Sequence, residues 1–466
     1  MRTQTLGAGI ETLRTAMVGP VISPGDVEYN DARSVWNADI DRRPAVIARC
    51  ASAADVSTAL GFARQHQLEV TVRGGAHGVA GNAVSDNGLM VDLSLLREIT
   101  IDPVTQRAYV GGGALLADLD AAAQVHGLAT PAGVVSHTGI AGLTLGGGMG
   151  WLTRKFGLAI DNLVSAEVVV ADGRVLRAAA EDNADLFWAI RGGGGNFGVV
   201  TTFEFQLHEV GPIVQFGMFF WGLDQGEQAL LLAREVTTAL PPEINVMIAA
   251  LNAPPAPFVP EQFHHQPGFA LLVAGFGSPE EHSRLAARIR EVLPPTFDMV
   301  TPLPYVQLQQ LIDEPTAWGF HHYDKSIFTA ELSDDVITVL VQHMPLKNSP
   351  RSVMLIYRLD SAFSDVAEDA TAFGGTRTPQ YDITLAATTP TSELLVRERE
   401  WVRSLCQALP AHVVGHGSYV NTGKLNDAQV RVSYGPKYER LAAIKAVYDP
   451  DNVFHRNANI RPAARG

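Results

Sequence analysis

One glycine-rich stretch decides the fold of this chain: Val72-Arg73-Gly74-Gly75-Ala76-His77-Gly78-Val79-Ala80-Gly81. Glycine adopts positive φ without steric cost and lets backbone N–H groups approach a ligand closely. A run of such groups forms an anion-binding concavity. Arg73 could add positive charge to it, and His77 would lie where the backbone wraps around a bound molecule. These residues alone are equally compatible with a glycine-rich turn whose histidine faces solvent.

The residues just before this stretch predict a β-α-β unit. Residues 44–50 are apolar and β-prone, residues 53–67 carry apolar side chains at helical spacing, and residues 68–72 alternate as a strand does. Ligands tend to bind at the carboxyl ends of such strands, so the loop that carries His77 is a candidate binding site. Nearer the N-terminus, residues 10–18 predict a short helix.

The residues that follow continue a mixture of strands and helices. Residues 88–93 and 107–110 predict strands, and residues 115–125 predict an amphipathic helix. Residues 166–178 predict a hairpin, because the Asp172-Gly173 pair at their centre is a strong signal for a tight turn.

A second glycine cluster occupies residues 131–150. So many glycines suit a backbone that wraps a large flat or phosphorylated ligand. A disordered linker is the alternative, but Ile140, Leu143 and Trp151 argue against it, because disordered linkers are polar. The glycines of this cluster are Gly133, Gly139, Gly142, Gly146, Gly147, Gly148 and Gly150.

A third cluster matches the G-x-G-x-x-G pattern through Gly193, Gly195 and Gly198. The dinucleotide fingerprint requires a helix after the glycines. Residues 199–205 are instead β-branched and alternate as a strand does. We therefore reject a Rossmann fold and expect these glycines to let the backbone pass close to a nucleotide.

Length and charge limit the classes of protein that are possible. A chain of 466 residues favours two domains over one simple core. A formal net charge of −14 argues against nucleic acid as a partner, because its phosphates would be repelled.

The cysteines and the apolar runs indicate the cellular compartment. Cys50 and Cys406 form no metal-spaced pair and no disulfide framework. The first residues lack the apolar core of a signal peptide, and no apolar run approaches the ~18 residues of a membrane span. We expect a cytoplasmic protein without a membrane partner.

Several separated stretches resemble a single family of flavoproteins, the berberine-bridge-enzyme-like FAD-linked oxidases. This family belongs to the wider vanillyl-alcohol-oxidase or p-cresol-methylhydroxylase-type group. The likeness covers nearly the whole chain and is greatest to bacterial members. It is carried by residues 73–77, 139–150, 185–192, 195–200, 448–454 and 457–462.

The resemblance implies an α+β, two-domain, FAD-binding fold of the p-cresol-methylhydroxylase type. Residues 1–211 would form the FAD-binding domain, which residues 416–466 would complete. Residues 212–415 would form a substrate domain, an antiparallel sheet backed by helices. Within that domain, residues 216–221, 269–274 and 353–358 predict strands.

The resemblance also gives His77 a role, a covalent bond to the 8α-methyl carbon of the flavin, which a neutral imidazole nitrogen can form. Many members add a second bond through cysteine, but Val135 stands at that position, so a single bond is expected; a noncovalent loop histidine is the alternative. The residues that the resemblance places around FAD are Arg73, Gly74, Gly75, Ala76, His77, Gly78, Gly81, Thr138, Gly139, Gly142, Gly146, Gly147, Gly148, Gly150, Asn162, Val200, Asn421, Asn457 and Asn459.

The reaction implied is oxidation of a C–OH or C–N bond of a small molecule. Hydride would pass to flavin N5, and molecular oxygen would reoxidise the flavin and give hydrogen peroxide. The residue that faces oxygen in the family aligns with Thr138, where a small apolar residue is common, so a dehydrogenase with another acceptor is an alternative. A flavin-binding protein with little turnover is the other alternative.

The proton acceptor is the least determined part of the site. The family often carries Tyr-x-Asn-Tyr, and here Tyr419 and Asn421 match while Thr422 replaces the second tyrosine. Tyr323 and Lys325 are further candidates for a catalytic base, although each could equally be a packed or solvated side chain. The neighbouring His321-His322 pair has no matching ligand cluster, so no metal is expected.

Overall fold

The computed structural model describes residues 2–409 and 418–464, with side chains from residue 6 onward. Strands and helices alternate along most of this chain. The strands, in chain order, are β1 (Val21–Ile22), β2 (Val46–Arg49), β3 (Val70–Arg73), β4 (Leu89–Asp92), β5 (Ile99–Asp102), β6 (Arg107–Gly111), β7 (Leu128–Ala129), β8 (Leu163–Val169), β9 (Val175–Ala179), β10 (Val199–Gln206), β11 (His208–Glu209), β12 (Ile213–Gly222), β13 (Ile244–Asn252), β14 (Pro267–Gly275), β15 (Phe297–Pro304), β16 (His321–Thr329), β17 (Val353–Leu359) and β18 (Gln380–Thr389).

The helices pack on the sheets or cap their ends. In chain order they are α1 (Arg2–Ala16), α2 (Tyr29–Arg33), α3 (Ala53–His66), α4 (Leu116–Gln124), α5 (Ile140–Gly146), α6 (Thr153–Phe156), α7 (Ala184–Ile190), α8 (Gly226–Thr238), α9 (Pro279–Val292), α10 (Tyr305–Leu308), α11 (Asp334–His343), α12 (Ala362–Asp365) and α13 (Ser392–Ala408). Two further helices, Asp427–Tyr434 and Tyr438–Tyr448, lie near the C-terminus.

The first sheet has the strand order β1-β2-β4-β3, and β2, β4 and β3 run parallel. Helix α3 connects β2 to β3, as the sequence predicted, but β4 lies between these two strands. Ser52 caps α3 by accepting a hydrogen bond from the Asp55 N–H, and Gln67 ends it in the left-handed conformation. The stretch that carries His77 therefore leaves from the carboxyl end of a parallel strand.

The second sheet is antiparallel, with the order β5-β6-β10-β8-β9. Strands β8 and β9 form the predicted hairpin around Gly173, whose φ is +91°. Strand β10 follows the third glycine cluster, which confirms the strand expected there in place of a helix. Phe203 and Phe205 are fully buried in a core that also contains Leu441 and Ile460, so the C-terminal segment packs on this sheet.

The third sheet has seven antiparallel strands in the order β15-β12-β14-β13-β17-β18-β16. The sequence predicted β12, β14 and β17 but not β13, β15, β16 or β18. Helices α8, α9, α11 and α13 cover one face, where strand side chains such as Trp221 and Leu271 pack against them. Side chains one residue along each strand, such as Phe216 and Met218, lie on the opposite face, which we call the inner face.

The distribution of elements accords with the predicted division of the chain, which nevertheless stays a prediction. The seven-stranded sheet begins at Ile213 and ends at Thr389, inside the expected substrate domain. The C-terminal helices share a core with the second sheet. The expected boundary at residue 415 lies outside the described residues.

Within residues 2–409 and 418–464, no helix has both the length and the apolar character needed to cross a bilayer. Cys50 is buried and Cys406 is partly buried, and neither forms a disulfide.

Candidate active site

A cavity of about 1010 Å³ lies between the glycine stretches and the inner face of the seven-stranded sheet. This volume is at the upper end of the range of small-molecule sites. The structure thus brings together the first two glycine clusters, Gly195 of the third cluster and the C-terminal segment. The predicted site residues that line the cavity are Gly74, Gly75, Ala76, His77, Gly78, Thr138, Gly139, Gly142, Tyr419, Asn421 and Asn457.

Two of the glycine stretches cross in direct backbone contact. A Cβ atom at Gly75 would lie 2.3 Å from the Gly139 nitrogen, and a Cβ at Gly139 would lie 2.2 Å from the Gly75 nitrogen. Neither position can therefore hold a side chain without moving backbone. This crossing, which we call the glycine cradle, forms one wall of the cavity from main-chain atoms.

Tyr419 connects the C-terminal segment to the second glycine cluster. Its hydroxyl oxygen accepts hydrogen bonds from the Gly148 N–H at 2.8 Å and from Asn421 Nδ2 at 3.0 Å. Asn421 Nδ2 also donates to the Leu143 carbonyl at 3.0 Å. Burial raises the pKa of Tyr419 to about 12, so the side chain stays a neutral phenol at neutral pH.

Other predicted glycines lie outside the cavity lining and shape the backbone that supports it. Gly148 has a φ of +79°, and a Cβ there would lie 2.5 Å from the Ala159 Cβ. A Cβ at Gly146 would meet Asn421 Oδ1 at 2.2 Å, and one at Gly150 would meet the Ala132 carbonyl at 2.1 Å. Gly147 and Gly81 likewise have positive φ, +140° and +64°.

Arg73 does not contribute its charge to the glycine cradle. Its guanidinium donates to the carbonyls of Ala32 and of Ser34, the latter at 2.9 Å, and lies 3.9 Å from Asp92. Arg73 and the buried Asp92 are aligned on neighbouring parallel strands, which draws the side chain away from the cavity. The expected role of Arg73 in charging the concavity is therefore corrected.

Three further predicted residues lie outside the lining of the cavity. Asn162 donates to the carbonyls of Phe156 and Leu158 at 2.8 and 2.9 Å, so it holds the turn before β8. Val200 is buried in the core of the second sheet. Asn459 has a buried Oδ1 atom without a hydrogen-bond partner among the described residues.

His77 lies inside the cavity as a neutral imidazole. Burial, with smaller contributions from His137 and His322, lowers its pKa from 6.5 to about 3. His77 Nε2 lies 3.1 Å from His137 Nδ1, and its ring stacks on Trp36 with centroids 4.1 Å apart. Trp36 also stacks on His322, with ring centroids 3.6 Å apart. The stack joins the glycine cradle to strand β16.

The position that carries a second flavin bond in many family members holds Val135, which lines the cavity. Cys50 packs in the core of the first sheet and Cys406 against the helices behind the third sheet. No described cysteine therefore lines the cavity, and His77 has no sulfur partner there.

Strand β16 divides the expected base candidates from the cavity. Tyr323 and Lys325 lie on the face that packs against α13, where Tyr323 joins the helix-covered core and Lys325 Nζ lies 5.9 Å from its ring centroid. Side chains alternate along a strand, so His322 and Asp324 point to the inner face and line the cavity. The structure does not bring Tyr323 or Lys325 to the site, and sequence reasoning missed His322 and Asp324.

Asp324 is a buried carboxyl group without compensation. Its Oδ1 has no hydrogen-bond partner among the described residues, and burial raises its pKa from 3.8 to about 7. Asp382 on the adjacent β18 is also buried, with a pKa near 6, but it accepts hydrogen bonds from the hydroxyls of Ser326 and Thr384. A carboxyl group that is half ionised near neutral pH can accept a proton from a molecule in the cavity.

The adjacent histidines, His321 and His322, likewise point to opposite faces of strand β16. His321 Nδ1 lies 3.6 Å from Asp39 Oδ1, whereas His322 enters the cavity. Among the residues that the structure describes, no three histidine, cysteine, aspartate or glutamate side chains are grouped so as to hold a metal ion.

Comparison with known proteins bears on this site. Residues 44–179 match the model of the FAD binding domain family, and residues 418–461 match the family described as berberine and berberine like. The chain is 31% identical to an FAD-linked oxidoreductase of Dictyostelium discoideum, over 95% of each chain. It belongs to the berberine-bridge-enzyme-like FAD-linked oxidoreductases. The family that the separated sequence motifs resemble is therefore confirmed.

Other berberine-bridge-enzyme-like proteins support the same assignment. The chain is 32% identical to (R)-6-hydroxynicotine oxidase of Paenarthrobacter nicotinovorans, over 95% of this chain and 97% of that one. The crystal structure of 6-hydroxy-D-nicotine oxidase from Arthrobacter nicotinovorans superimposes with a TM-score of 0.84 at 29% identity, covering 96% of this chain and 98% of that one. The α+β fold class is thereby confirmed.

FAD is the cofactor of this FAD-linked oxidoreductase, and the residues present fit it. Asn457, which lines the cavity, has a buried Oδ1 without a hydrogen-bond partner among the described residues. Buried acceptors are normally hydrogen-bonded, so this atom suits a ligand that carries hydroxyl and amino donors, as the ribityl chain and adenine do. The glycine cradle provides close backbone approach, and His77 provides a neutral ring nitrogen.

Proposed function

We propose that this enzyme oxidises a C–OH or C–N bond of a small molecule, with molecular oxygen as the acceptor and hydrogen peroxide as the product. FAD, when bound, accepts the hydride at N5 and passes the electrons on. The chain's own contribution is to hold the substrate over that atom and to take its hydroxyl or amine proton.

The observation that carries this proposal is the uncompensated carboxyl group of Asp324. It lines the cavity, and its pKa of about 7 matches the range in which a general base works best. Tyr419 is less suited to that task, because burial moves its pKa away from neutrality and its oxygen already accepts two hydrogen bonds. We assign proton acceptance to Asp324, and we assign to Tyr419 the positioning of the second glycine cluster.

We further propose that His77 bonds covalently to the flavin 8α carbon, as its only covalent contact. A nucleophilic imidazole must be neutral, and the lowered pKa of His77 keeps it so throughout the physiological range. The bond would fix the cofactor beside Trp36 and strand β16. Val135 at the cysteine position supports a single attachment.

Anaerobic mixing with small alcohols, sugars and amines tests the proposed activity. At least one compound should bleach the flavin absorbance, and air should then restore the yellow colour and produce hydrogen peroxide. Absence of bleaching across a chemically diverse set would favour a flavin-binding protein with little turnover.

Thr138 supports a second candidate, a dehydrogenase that uses another acceptor. This residue lines the cavity at the position aligned with the oxygen-facing residue of the family. If Thr138 blocks oxygen, a bleached flavin should stay reduced in air and recover with an artificial acceptor such as a quinone. Thr138→Ala should then accelerate reoxidation by air, whereas Thr144→Ala, a buried threonine of α5 outside the cavity lining, should not.

We also propose a cytoplasmic location, supported by the two cysteines without disulfides. Fractionation of the native host with an antibody against the chain tests it. Recovery of the protein from the medium or from an extracytoplasmic fraction would contradict it.

A further inference from the structure

The inner face of the seven-stranded sheet is divided into a polar and an apolar part. Strands β16 and β18, at one end of the strand order, present polar side chains. Strands β15, β12 and β14, at the other end, present apolar ones. The polar side chains that line the cavity are His322, Asp324, Thr384 and Thr388, and the apolar ones are Phe216, Met218, Leu272 and Met299.

The polar part lies beside the glycine cradle. His322 stacks on Trp36, which stacks on His77, and the Tyr419 N–H donates to Ser326 Oγ on β16 at 3.3 Å. The group that reacts must therefore be held at this end of the sheet. The apolar wall begins at Leu355 on β17, two strands away, which corresponds to about 10 Å at the usual strand spacing.

Charged side chains are few on the sheet side of the cavity. Among the described lining residues between 213 and 389 they are Asp324 and the ion pair of Glu314 and Arg351. Glu314 Oε1 and Arg351 Nη2 lie 3.2 Å apart. The Glu314 side chain is 83% exposed, which places that pair at the rim. Asn252 Nδ2 donates to the His265 carbonyl, and its buried Oδ1 is the one amide acceptor without a partner among the described lining residues of this sheet.

From this division we infer that the substrate is an amphipathic molecule, with one hydroxyl or amino group on a hydrophobic body about 10 Å long or longer. The inference rests on the proposed oxidase or dehydrogenase function. The polar end would lie against Asp324 and His322, and the body would reach Leu355 and Val353 on β17. A sugar chain is a poorer match, because each buried hydroxyl needs a partner and Phe216, Met218, Leu272 and Met299 offer none.

Two homologous series test this inference on the FAD-loaded enzyme: straight-chain alcohols and straight-chain amines of two to eight carbons, with xylobiose as the hydrophilic comparison. The measurement is anaerobic flavin reduction. In the reactive series kcat/KM should rise with chain length, by about fourfold for each methylene that reaches the apolar wall, the effect of burying that group. Reduction by xylobiose at least as efficient as by the eight-carbon compound, or no dependence on chain length, would overturn the substrate class while leaving the oxidase function intact.

A variant of the wall gives an independent test. Leu355→Gln should lower kcat/KM for the eight-carbon compound about tenfold and leave the two-carbon compound unchanged. Thr301→Gln, on β15 of the same sheet and outside the cavity lining, should change neither. Equal losses for both chain lengths in Leu355→Gln would contradict an apolar contact with the substrate.

Failure of the proposed function gives a different pattern. If no compound reduces the flavin, equilibrium binding of the same series is followed through the visible flavin difference spectrum. Affinity that increases with chain length would still support the amphipathic ligand class and refute the turnover. Binding of xylobiose in preference to the eight-carbon compounds, or binding of none, would refute the class as well.

Discussion

Replacement of Asp324 by asparagine should separate the chemical role of this carboxyl group from its effect on stability. Asparagine keeps the size of the side chain but accepts no proton near neutral pH. The rate of anaerobic flavin reduction should fall by ~10²–10⁴-fold, the usual contribution of a general base. The flavin content should stay unchanged, because Asp324 lies on the sheet side of the cavity and not in the glycine cradle.

The pH profile makes the test specific to this residue. If the carboxylate form of Asp324 takes the proton, kcat/KM of the unsubstituted enzyme should rise about tenfold per pH unit below about pH 7 and level off above it. Asp324→Asn should lack this acidic limb. An acidic limb that persists in the variant with the same midpoint would refute the assignment.

The raised pKa also predicts how stability depends on pH. In the unfolded chain Asp324 has its ordinary pKa near 4, so between about pH 4 and 7 the folded protein holds a proton that the unfolded chain has released. Stability therefore falls as the pH rises through this window and levels off above it. From pH 5 to pH 8 the loss due to Asp324 is roughly 3 kcal/mol, since a shift of one pH unit is worth about 1.4 kcal/mol.

Thermal unfolding of both proteins measures this loss. Asp324→Asn has no carboxyl group there and does not undergo this loss. The difference in Tm between the variant and the unsubstituted enzyme should therefore be about 3 °C larger at pH 8 than at pH 5, given an unfolding entropy of about 2.1 cal/mol/K per residue. For the pH profile of kcat/KM, Asp382→Asn is the matched control, because Asp382 is buried on the adjacent strand but is hydrogen-bonded and outside the cavity lining. It should keep the acidic limb. A Tm difference for Asp324→Asn that is independent of pH would contradict the uncompensated burial of the carboxylate.

The remaining predictions concern the cofactor and its support. His77→Ala should release its flavin into the supernatant on acid precipitation, whereas the unsubstituted protein and the exposed His126→Ala should stay yellow; free FAD from the unsubstituted protein would argue against a covalent bond. Tyr419→Phe leaves the Gly148 N–H without its partner, so it should lower stability by about 1–3 kcal/mol in denaturant unfolding and slow flavin reduction less than Asp324→Asn does. Gly75→Ala would drive a Cβ to 2.3 Å from the Gly139 nitrogen and should prevent FAD incorporation, measured by the ratio of visible to ultraviolet absorbance. Gly61→Ala in α3 has open space around its Cβ and should incorporate FAD normally.

The glycine clusters were informative because their physical requirement is local. A backbone crossing such as Gly75 on Gly139 leaves no room for a side chain, and that restriction is visible in the sequence as glycine at both positions. The same reasoning did not indicate which way Arg73 points. Its direction depends on Asp92, a buried partner on a neighbouring parallel strand that only the register of the sheet brings close.

The base candidates show a different obstacle. Residues 321–326 are polar at nearly every position, so they lack the contrast between apolar and polar residues that identifies a strand and its buried face. The structure shows why. Tyr323 and Lys325 lie beneath α13 with the arginines at positions 399 and 403 close to the Tyr323 ring, and His322 and Asp324 are polar because they face the cavity. A strand whose inner face carries polar functional side chains lacks the apolar–polar alternation by which strands are recognised. Periodicity in the sequence is therefore least able to identify the residues that take part in the reaction.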